Sequence, residues 1–518
     1  MTPRMPRACG VLVVGGGITG LSAAWELSRA GIPTTIVEAS PRFGGKLRTD
    51  LVDGFLVESG PDSFVSYRPA ALRLASELGL EGDVVVPLEP RRVLIRTGGA
   101  FVPMPQDMGL VLPTRAAPFL ATPLFSPFEK LRMGLDLVLP RADLGRDVGV
   151  GGYLRQRLGD ALVRKLAEPL IGGVYGTPID ELSLHAVVPT LREANRDHRS
   201  LLLASLASRR HRPPADEKAA APAGGPACGE DRPASPERPA RPLPPFVTFA
   251  GGVGQLVDAL VRALERQPEV DPRTRVAITG LSVSPDRIEA RLSTGEVLVP
   301  DAIVLAVPGP AASALLRDPV PAAARAIDAI PHGTTAVVSL AYRAEQFPEP
   351  PRSHGFLVAA GESLTLDACT VSSAKWPGRA PDGAVLLRAF LGSRSGRAPG
   401  MTDEELRAAV ESDVVAAMAV RGRPLFARVS RWPGQMPQYT VGHLERVAVA
   451  EAALAGFPRI RLAGAAYHGV GIPDCVSQGR TVAREIAEML GAATRGPDEC
   501  RTEPAALEGA TVVQGVGA

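Results

Sequence analysis

Cysteine is scarce in this chain of 518 residues: Cys9, Cys228, Cys369, Cys475 and Cys500 are odd in number and far apart. With no Cys-x-x-Cys and no His/Cys cluster, neither a zinc module nor a disulfide framework is indicated. A reducing cytoplasm is the compartment that fits such usage. Long apolar runs are also missing, and none reaches the roughly 18 residues of a membrane-spanning helix. Aromatic residues make up 4% of the chain, no basic cluster is interleaved with them, and the net charge is +2, so no nucleic-acid partner is expected. No Ser–His–Asp or paired-carboxylate arrangement demands a hydrolytic mechanism. Hydrophobic content of 45% with 22% charged residues is that of an ordinary globular protein, and the length predicts two to four domains.

What the chain does have is a dense opening stretch, residues 9–46. Val11 to Val14 form a short apolar run suited to a buried parallel strand. Gly15, Gly16 and Gly17 follow, and Gly15, Gly17 and Gly20 spell G-x-G-x-x-G. Ile18, Leu21, Ala24 and Trp25 then fall at helical spacing, and Gly31 is a helix stop. A second apolar run, Thr35-Ile36-Val37, ends at Glu38, 18 residues after Gly20, about where a ribose-binding carboxylate belongs. Gly15 permits the tight turn, Gly17 lets backbone approach a pyrophosphate, and Gly20 lets helix and strand pack closely. The helix N-terminus, at Ile18 and Thr19, offers free N–H groups and a positive dipole end to phosphates. A secretory signal is the competing explanation, since Arg4 and Arg7 precede the apolar run. Three consecutive glycines would interrupt it and Glu38 would go unexplained.

Ala39, Arg42 and Gly44-Gly45-Lys46 follow the acid directly, and Glu58-Ser59-Gly60-Pro61-Asp62-Ser63-Phe64 comes further on. An acid followed by a second glycine pair resembles the two-dinucleotide-binding-domain flavoproteins, which include amine oxidases and carotenoid desaturases. That resemblance implies FAD rather than NAD. Lys46 stands where many of them carry Arg, keeping the charge without the planar fork.

The rest of the chain alternates. Residues 65–82 read as a helix, and Val93-Leu94-Ile95 with Phe101-Val102 as a hairpin. Residues 106–145 are apolar but broken by Pro113, Pro118, Pro123 and Pro127. They fit either core beneath a helical lobe or a surface that dips into a membrane and admits a lipophilic substrate. Residues 147–207 read as helices. Residues 209–245 hold proline among Ala, Gly, Glu and Arg and are expected to be a disordered insertion. Phe246–Phe249, Arg275–Leu281, 287–292, 297–299, 301–308, 334–343 and 385–391 read as strands, and 402–421 as an amphipathic helix. Ile460–Gly464 is a strand that enters a second glycine-rich turn, Ala465–Val476, with a helix from Ser477 to about Leu490. Strand, glycine turn and helix again make an anion- or ring-binding geometry. Residues 492–518 read as a loose tail.

Together the blocks VVGGGITGLSAAWEL, EASPRFGGK, ESGPDSF, LAEPLIGGVYGTPIDELS, HRSLLLA, KWPGRAP, RWPGQMPQYTVGHLERV and AGAAYHGVGIPDCVSQG resemble the oxygen-dependent porphyrinogen oxidases of haem synthesis. The resemblance implies a mixed α/β fold: a Rossmann-like FAD-binding domain built from separated segments, a mixed-sheet substrate domain and a helical lobe. The expected FAD segments are 1–88, 246–312 and 435–491, the substrate segments 89–107 and 313–434, and the lobe 108–208. Gly15, Gly16, Gly17, Ile18, Thr19, Gly20, Glu38 and Ala39 match pyrophosphate and ribose contacts, and Arg42, Gly44, Gly45 and Lys46 the second glycine block. Gly60, Pro61, Asp62 and Ser63 match a loop near the flavin. Val276 falls on a strand whose backbone meets the adenine end, Trp432 matches an aromatic near the flavin, and Val470, Gly471 and Ile472 match the turn under the isoalloxazine ring. A core role beside Pro433 competes for Trp432, a surface-loop role for His468, and a helix cap for Asp474.

The implied chemistry is carried by flavin N5, with no catalytic side chain assigned and no metal. A porphyrinogen gives up hydride from a bridging CH2 in three rounds, six electrons in all, and dioxygen becomes hydrogen peroxide. A tetrapyrrole, dioxygen, a downstream ferrochelatase and peripheral contact with the inner membrane face are the implied partners. Some relatives carry a basic residue, thought to meet substrate carboxylates, where this chain has Val102; Arg91, Arg92 or Arg96 could replace it. Coproporphyrinogen III has four carboxylates and protoporphyrinogen IX two. The Gly-Val-Gly-Ile-Pro-Asp-Cys turn is more similar to the coproporphyrinogen branch.

Overall fold

Val11 and Val13 are buried in one hydrophobic core, and Leu12 and Val14 in another. A strand covered on both faces belongs inside a parallel sheet, and the computed structural model places it there. The structure describes residues 7–105, 108–109, 111–208, 243–284, 287–392 and 400–491. Most of the proline-rich insertion and the whole C-terminal tail lie outside the described residues.

Arg7–Val14 pairs in parallel with Thr34–Glu38 on one side and Val297–Leu305 on the other. Val270–Thr274 extends the sheet past Thr34–Glu38, and Ile460–Leu462 joins the far end of Val297–Leu305. An antiparallel hairpin, Ile278–Ser284 with Arg287–Leu292, completes it. The strand expected at Arg275–Leu281 starts only at Ile278: Arg275, at φ 60°, and the two residues after it separate it from Val270–Thr274. Val276 lies in the break rather than on a strand, and its N–H donates to the Glu38 carbonyl at 2.9 Å.

Two helices pack side by side on this sheet. The opening helix is Ile18–Arg29 and the closing helix Ile472–Met489. They approach so closely that a Cβ on Gly479 would stand 2.2 Å from the Thr19 carbonyl oxygen. Arg480 pairs with Glu26 and Glu77, each at 2.7 Å, and reinforces the contact. The closing helix starts before the expected Ser477. Pro473 in its first turn has a preset φ and no N–H to lose, and Asp474 adds an acid at the positive end. The helix expected over 65–82 contracts to Ala70–Glu77.

A second sheet runs in the order Phe426–Pro437, His332–Arg343, Ala384–Leu391, Ala368–Val371, Gly355–Val358, Val93–Thr97 and Ala100–Pro103. The expected hairpin forms its edge. Helix Asp403–Met418 packs on it through Leu406, Val410 and Val414.

The remaining helices form a lobe. Its centre is Arg157, 2% exposed, whose guanidinium donates to Asp136 at 2.6 Å and to the Arg199 carbonyl at 2.7 Å. Ser200 donates to the same Asp136 at 2.6 Å, so the HRSLLLA block braces a buried ion pair. Pro169 sits within a widened π-helical stretch, Val163–Gly172, where the looser turn tolerates the missing N–H. The apolar 106–145 region divides. Leu112, Phe119, Leu124, Phe125 and Met133 are buried, whereas Leu120, Phe128, Leu131 and Val138 are 63%, 83%, 69% and 70% exposed. Among the described residues, no helix is long and apolar enough to cross a membrane.

Candidate active site

The first glycine turn has one tight side and one open side. Gly15 has φ +103°, and a Cβ there would lie 2.5 Å from the Ala306 carbonyl oxygen; one on Gly20 would lie 1.9 Å from that of Gly15. Gly17 is different: nothing lies within 4 Å of its would-be Cβ. Gly17 is also the N-cap of the opening helix, without a side-chain cap. Leu21 is the first residue whose N–H bonds back, to the Gly17 carbonyl at 3.0 Å, so the N–H groups of Ile18, Thr19 and Gly20 point out of the helix end. Glu38 stands beside them, accepting from Gly16 N–H and Ser40 N–H, both at 2.8 Å, with Ala39 exposed next to it.

The second glycine block closes on the first. Gly44 N–H donates to the Gly16 carbonyl at 2.7 Å, and a Cβ on Gly45 would touch Gly17 Cα at 3.4 Å. Arg42 is spent on its own loop, donating to the carbonyls of Phe43 at 2.9 Å and Gly45 at 2.6 Å. Lys46 reaches across to the second sheet, its Nζ donating to the Gln435 carbonyl at 2.5 Å, and burial lowers its pKa. Trp432, half-buried on the same strand, donates from Nε1 to the Ser59 carbonyl at 2.9 Å.

The Gly60–Ser63 loop is held by charge. A Cβ on Gly60 would lie 2.1 Å from the Lys46 carbonyl oxygen. Beyond Pro61, Asp62 meets Lys375 at 3.0 Å, Trp376 Nε1 at 3.1 Å and Arg388 at 3.5 Å, and accepts from Ser63 Oγ at 2.8 Å. Burial alone would raise the Asp62 pKa. The adjacent Lys375 and Arg388 charges and the hydrogen bonds outweigh it and hold the carboxyl well below its usual range. Arg388 is itself fully buried and also donates to the carbonyls of Glu58, at 3.1 Å, and Gly60.

The late turn lies against the first. A Cβ on Gly464 would sit 4.0 Å from Thr19 Oγ1, and the helices behind the two turns touch at Gly479. Val470 leads to Gly471, the N-cap of the closing helix, again without a side-chain cap, and to Ile472. Asp474 is not that cap; its carboxylate pairs with Arg68. His468 is half exposed and bonded to Glu451 at 2.6 Å, as a surface-loop histidine. Of the cations proposed to replace a basic residue at Val102, Arg91 pairs with Glu89 at 2.9 Å and Arg96 lies 3.8 Å from Glu362 and over the Phe101 ring.

The reasoning from sequence missed Lys375, Arg388 and Tyr439 as site-shaping residues. Arg388 carried a signal: it is a charge inside the apolar strand Val385-Leu386-Leu387-Arg388-Ala389-Phe390. A groove of about 660 Å³ between the closing helix and residues 451–462 is lined by Glu451, Asp474 and Glu485 together with Arg461 and His468.

The cradle's donor set fits an ADP-bearing cofactor: an open Cα at Gly17, unbonded helix N–H groups, and a carboxylate fixed beside them. The sequence model of the flavin containing amine oxidoreductase family matches residues 18–487. The chain belongs to that family. As a flavin containing amine oxidoreductase it is an FAD-dependent oxidoreductase. It is 46% identical to a coproporphyrinogen III oxidase of Propionibacterium freudenreichii subsp. freudenreichii over 499 residues, 94% of this chain and 92% of that protein. A coproporphyrinogen III oxidase of Bacillus subtilis (strain 168) is 33% identical, over 93% of this chain and 98% of that one. Among solved structures, a protein from Exiguobacterium sp. 255-15 assigned as a protoporphyrinogen oxidase superposes on this flavin oxidoreductase with a TM-score of 0.77, at 30% identity, covering 93% of this chain and 99% of that one.

Proposed function

We propose that the chain oxidises coproporphyrinogen III to coproporphyrin III, with FAD between the two glycine turns and dioxygen as final acceptor. The observation that carries this proposal is the 46% identity, across 94% of the chain, to a coproporphyrinogen III oxidase. The N–H groups of Ile18, Thr19 and Gly20 and the bare Cα of Gly17 would take the pyrophosphate. Glu38 would take the ribose, and the Val276 backbone would border the adenine. Gly44, Gly45, Lys46, Gly60–Ser63 and Trp432 would border the flavin, with Val470–Ile472 beneath it. When bound, FAD would accept one hydride from a bridging CH2 in each of three rounds, six electrons in all, and dioxygen would take the electrons away as three molecules of hydrogen peroxide. The residues of the chain would hold the partners and exclude water, with Lys375 and Arg388 fixing the Asp62 loop beside the flavin.

Protoporphyrinogen IX is the second substrate to consider, favoured by the Exiguobacterium neighbour. Anaerobic mixing of the FAD-loaded protein with each porphyrinogen decides between them. The flavin should bleach faster with coproporphyrinogen III, and admitting air should release fluorescent coproporphyrin. Faster bleaching by protoporphyrinogen IX would exchange the two, and bleaching by an amine but by neither porphyrinogen would reject both. The same proposal includes a cytoplasmic protein resting on the inner membrane face through Leu120, Phe128, Leu131 and Val138 of the lobe, and passing its product toward a ferrochelatase.

A further inference from the structure

One phenol ties the late glycine turn to the rest of the molecule. Tyr439 follows the strand Phe426–Pro437 and is 2% exposed. Its Oη donates to the Ala465 carbonyl at 2.8 Å and accepts the Gly469 N–H at 2.8 Å. These partners stand at the two ends of the five-residue segment that leads toward the closing helix, so one hydroxyl staples that segment shut. Without it, a part-buried carbonyl and a part-buried N–H would each lose a partner. The backbone of the same residue is bonded to the helical lobe. Its carbonyl accepts Ser183 N–H at 2.7 Å, and two residues on, Val441 N–H donates to the Glu181 carbonyl at 2.9 Å. Its ring stacks on His443 at 3.7 Å and 15° and faces Tyr175 of the lobe at 5.7 Å. His443 continues the chain of contacts, with Nε2 3.0 Å from the carbonyl of Tyr467 in the middle of the turn.

We propose that Tyr439 is a positioning residue for the flavin: its hydroxyl fixes the Ala465–Gly469 segment and, through it, the uncapped N-terminus of the closing helix. This rests on the placement of FAD at that turn proposed above. A helix N-terminus is a positive dipole end, so its position governs how readily a ring set against it takes up electrons.

The test is Tyr439→Phe in the full-length, FAD-loaded protein. The flavin's visible band should shift and its reduction potential should fall. With coproporphyrinogen III, kcat should drop about tenfold while KM stays within about twofold. Tyr153→Phe is the control: that buried hydroxyl bonds Asn195 at 3.2 Å inside the lobe, and its loss should lower the melting temperature while leaving the flavin band in place. A Tyr439→Phe protein with wild-type band, potential and kcat would overturn the proposal. Should that variant not fold, 3-fluorotyrosine at position 439 decides, because it keeps the ring and its stacking and changes the hydroxyl's hydrogen bonds to Ala465 and Gly469: a shifted band supports the proposal and an unchanged one rejects it. A wild-type protein whose flavin no porphyrinogen reduces would refute the proposed function instead, and the band and potential would still report on Tyr439.

Discussion

Single residues at this site separate what the fold needs from what the cofactor needs. Gly20 is fixed by the chain itself, since any Cβ there would strike the Gly15 carbonyl. Gly17 is not, because its missing side chain meets no protein atom. Gly17→Ala should therefore leave the melting temperature of the FAD-free protein within about 1 °C while weakening FAD binding at least tenfold, or about 1.4 kcal/mol. Thermal melts and an FAD titration check the pair of outcomes. His443 gives a pH prediction. Burial pushes its pKa down from 6.5 to about 4 in the folded protein. Between those values the unfolded chain holds a proton that the folded chain does not. Its contribution is thus intact above pH 6.5 and drains away as pH falls toward 4, by on the order of 3 kcal/mol. Denaturant titrations at pH 7 and pH 5 should show about 2 kcal/mol of that loss in the wild type and a smaller one in His443→Gln.

At the scale of elements, the opening and closing helices decide whether the two turns share a site. Their contact is set by Gly479 against Thr19, with no room for a side chain. Gly479→Val should cost at least about 2 kcal/mol by overpacking and should lower FAD content in parallel, measured by denaturation and by the flavin-to-protein ratio. A variant that loses stability but keeps full flavin would separate the helix contact from the site. The opening strand, turn, helix and acid were legible in the sequence because their signals are local: an apolar run, three spaced glycines, a carboxylate at the right remove. The late turn was legible for the same reason, although its helix starts earlier than the pattern suggested because Pro473 and Asp474 belong to the first turn. Arg275 was not legible as a strand break, since its positive φ goes with hydrogen bonds from its own N–H to the Ser40 carbonyl and from Val276 N–H to the Glu38 carbonyl, at the end of another strand. The Asp62–Lys375–Arg388 cluster was equally hidden, because Asp62 and Lys375 stand 313 residues apart and only the fold brings them together.

Across the whole molecule, three distant stretches of sequence build one sheet, and a second sheet reaches the same turns through Lys46 with Gln435 and Trp432 with Ser59. The helical lobe joins through Tyr439 and turns exposed Leu120, Phe128, Leu131 and Val138 to the outside. The proposed function depends on one cofactor being gripped from both ends of the chain at once. Hydrogen–deuterium exchange on the FAD-free and FAD-loaded protein tests that most directly. Amides in 15–20, 42–46 and 465–475 should gain protection together on loading. Protection confined to the first turn, with 465–475 exchanging as before, would contradict it.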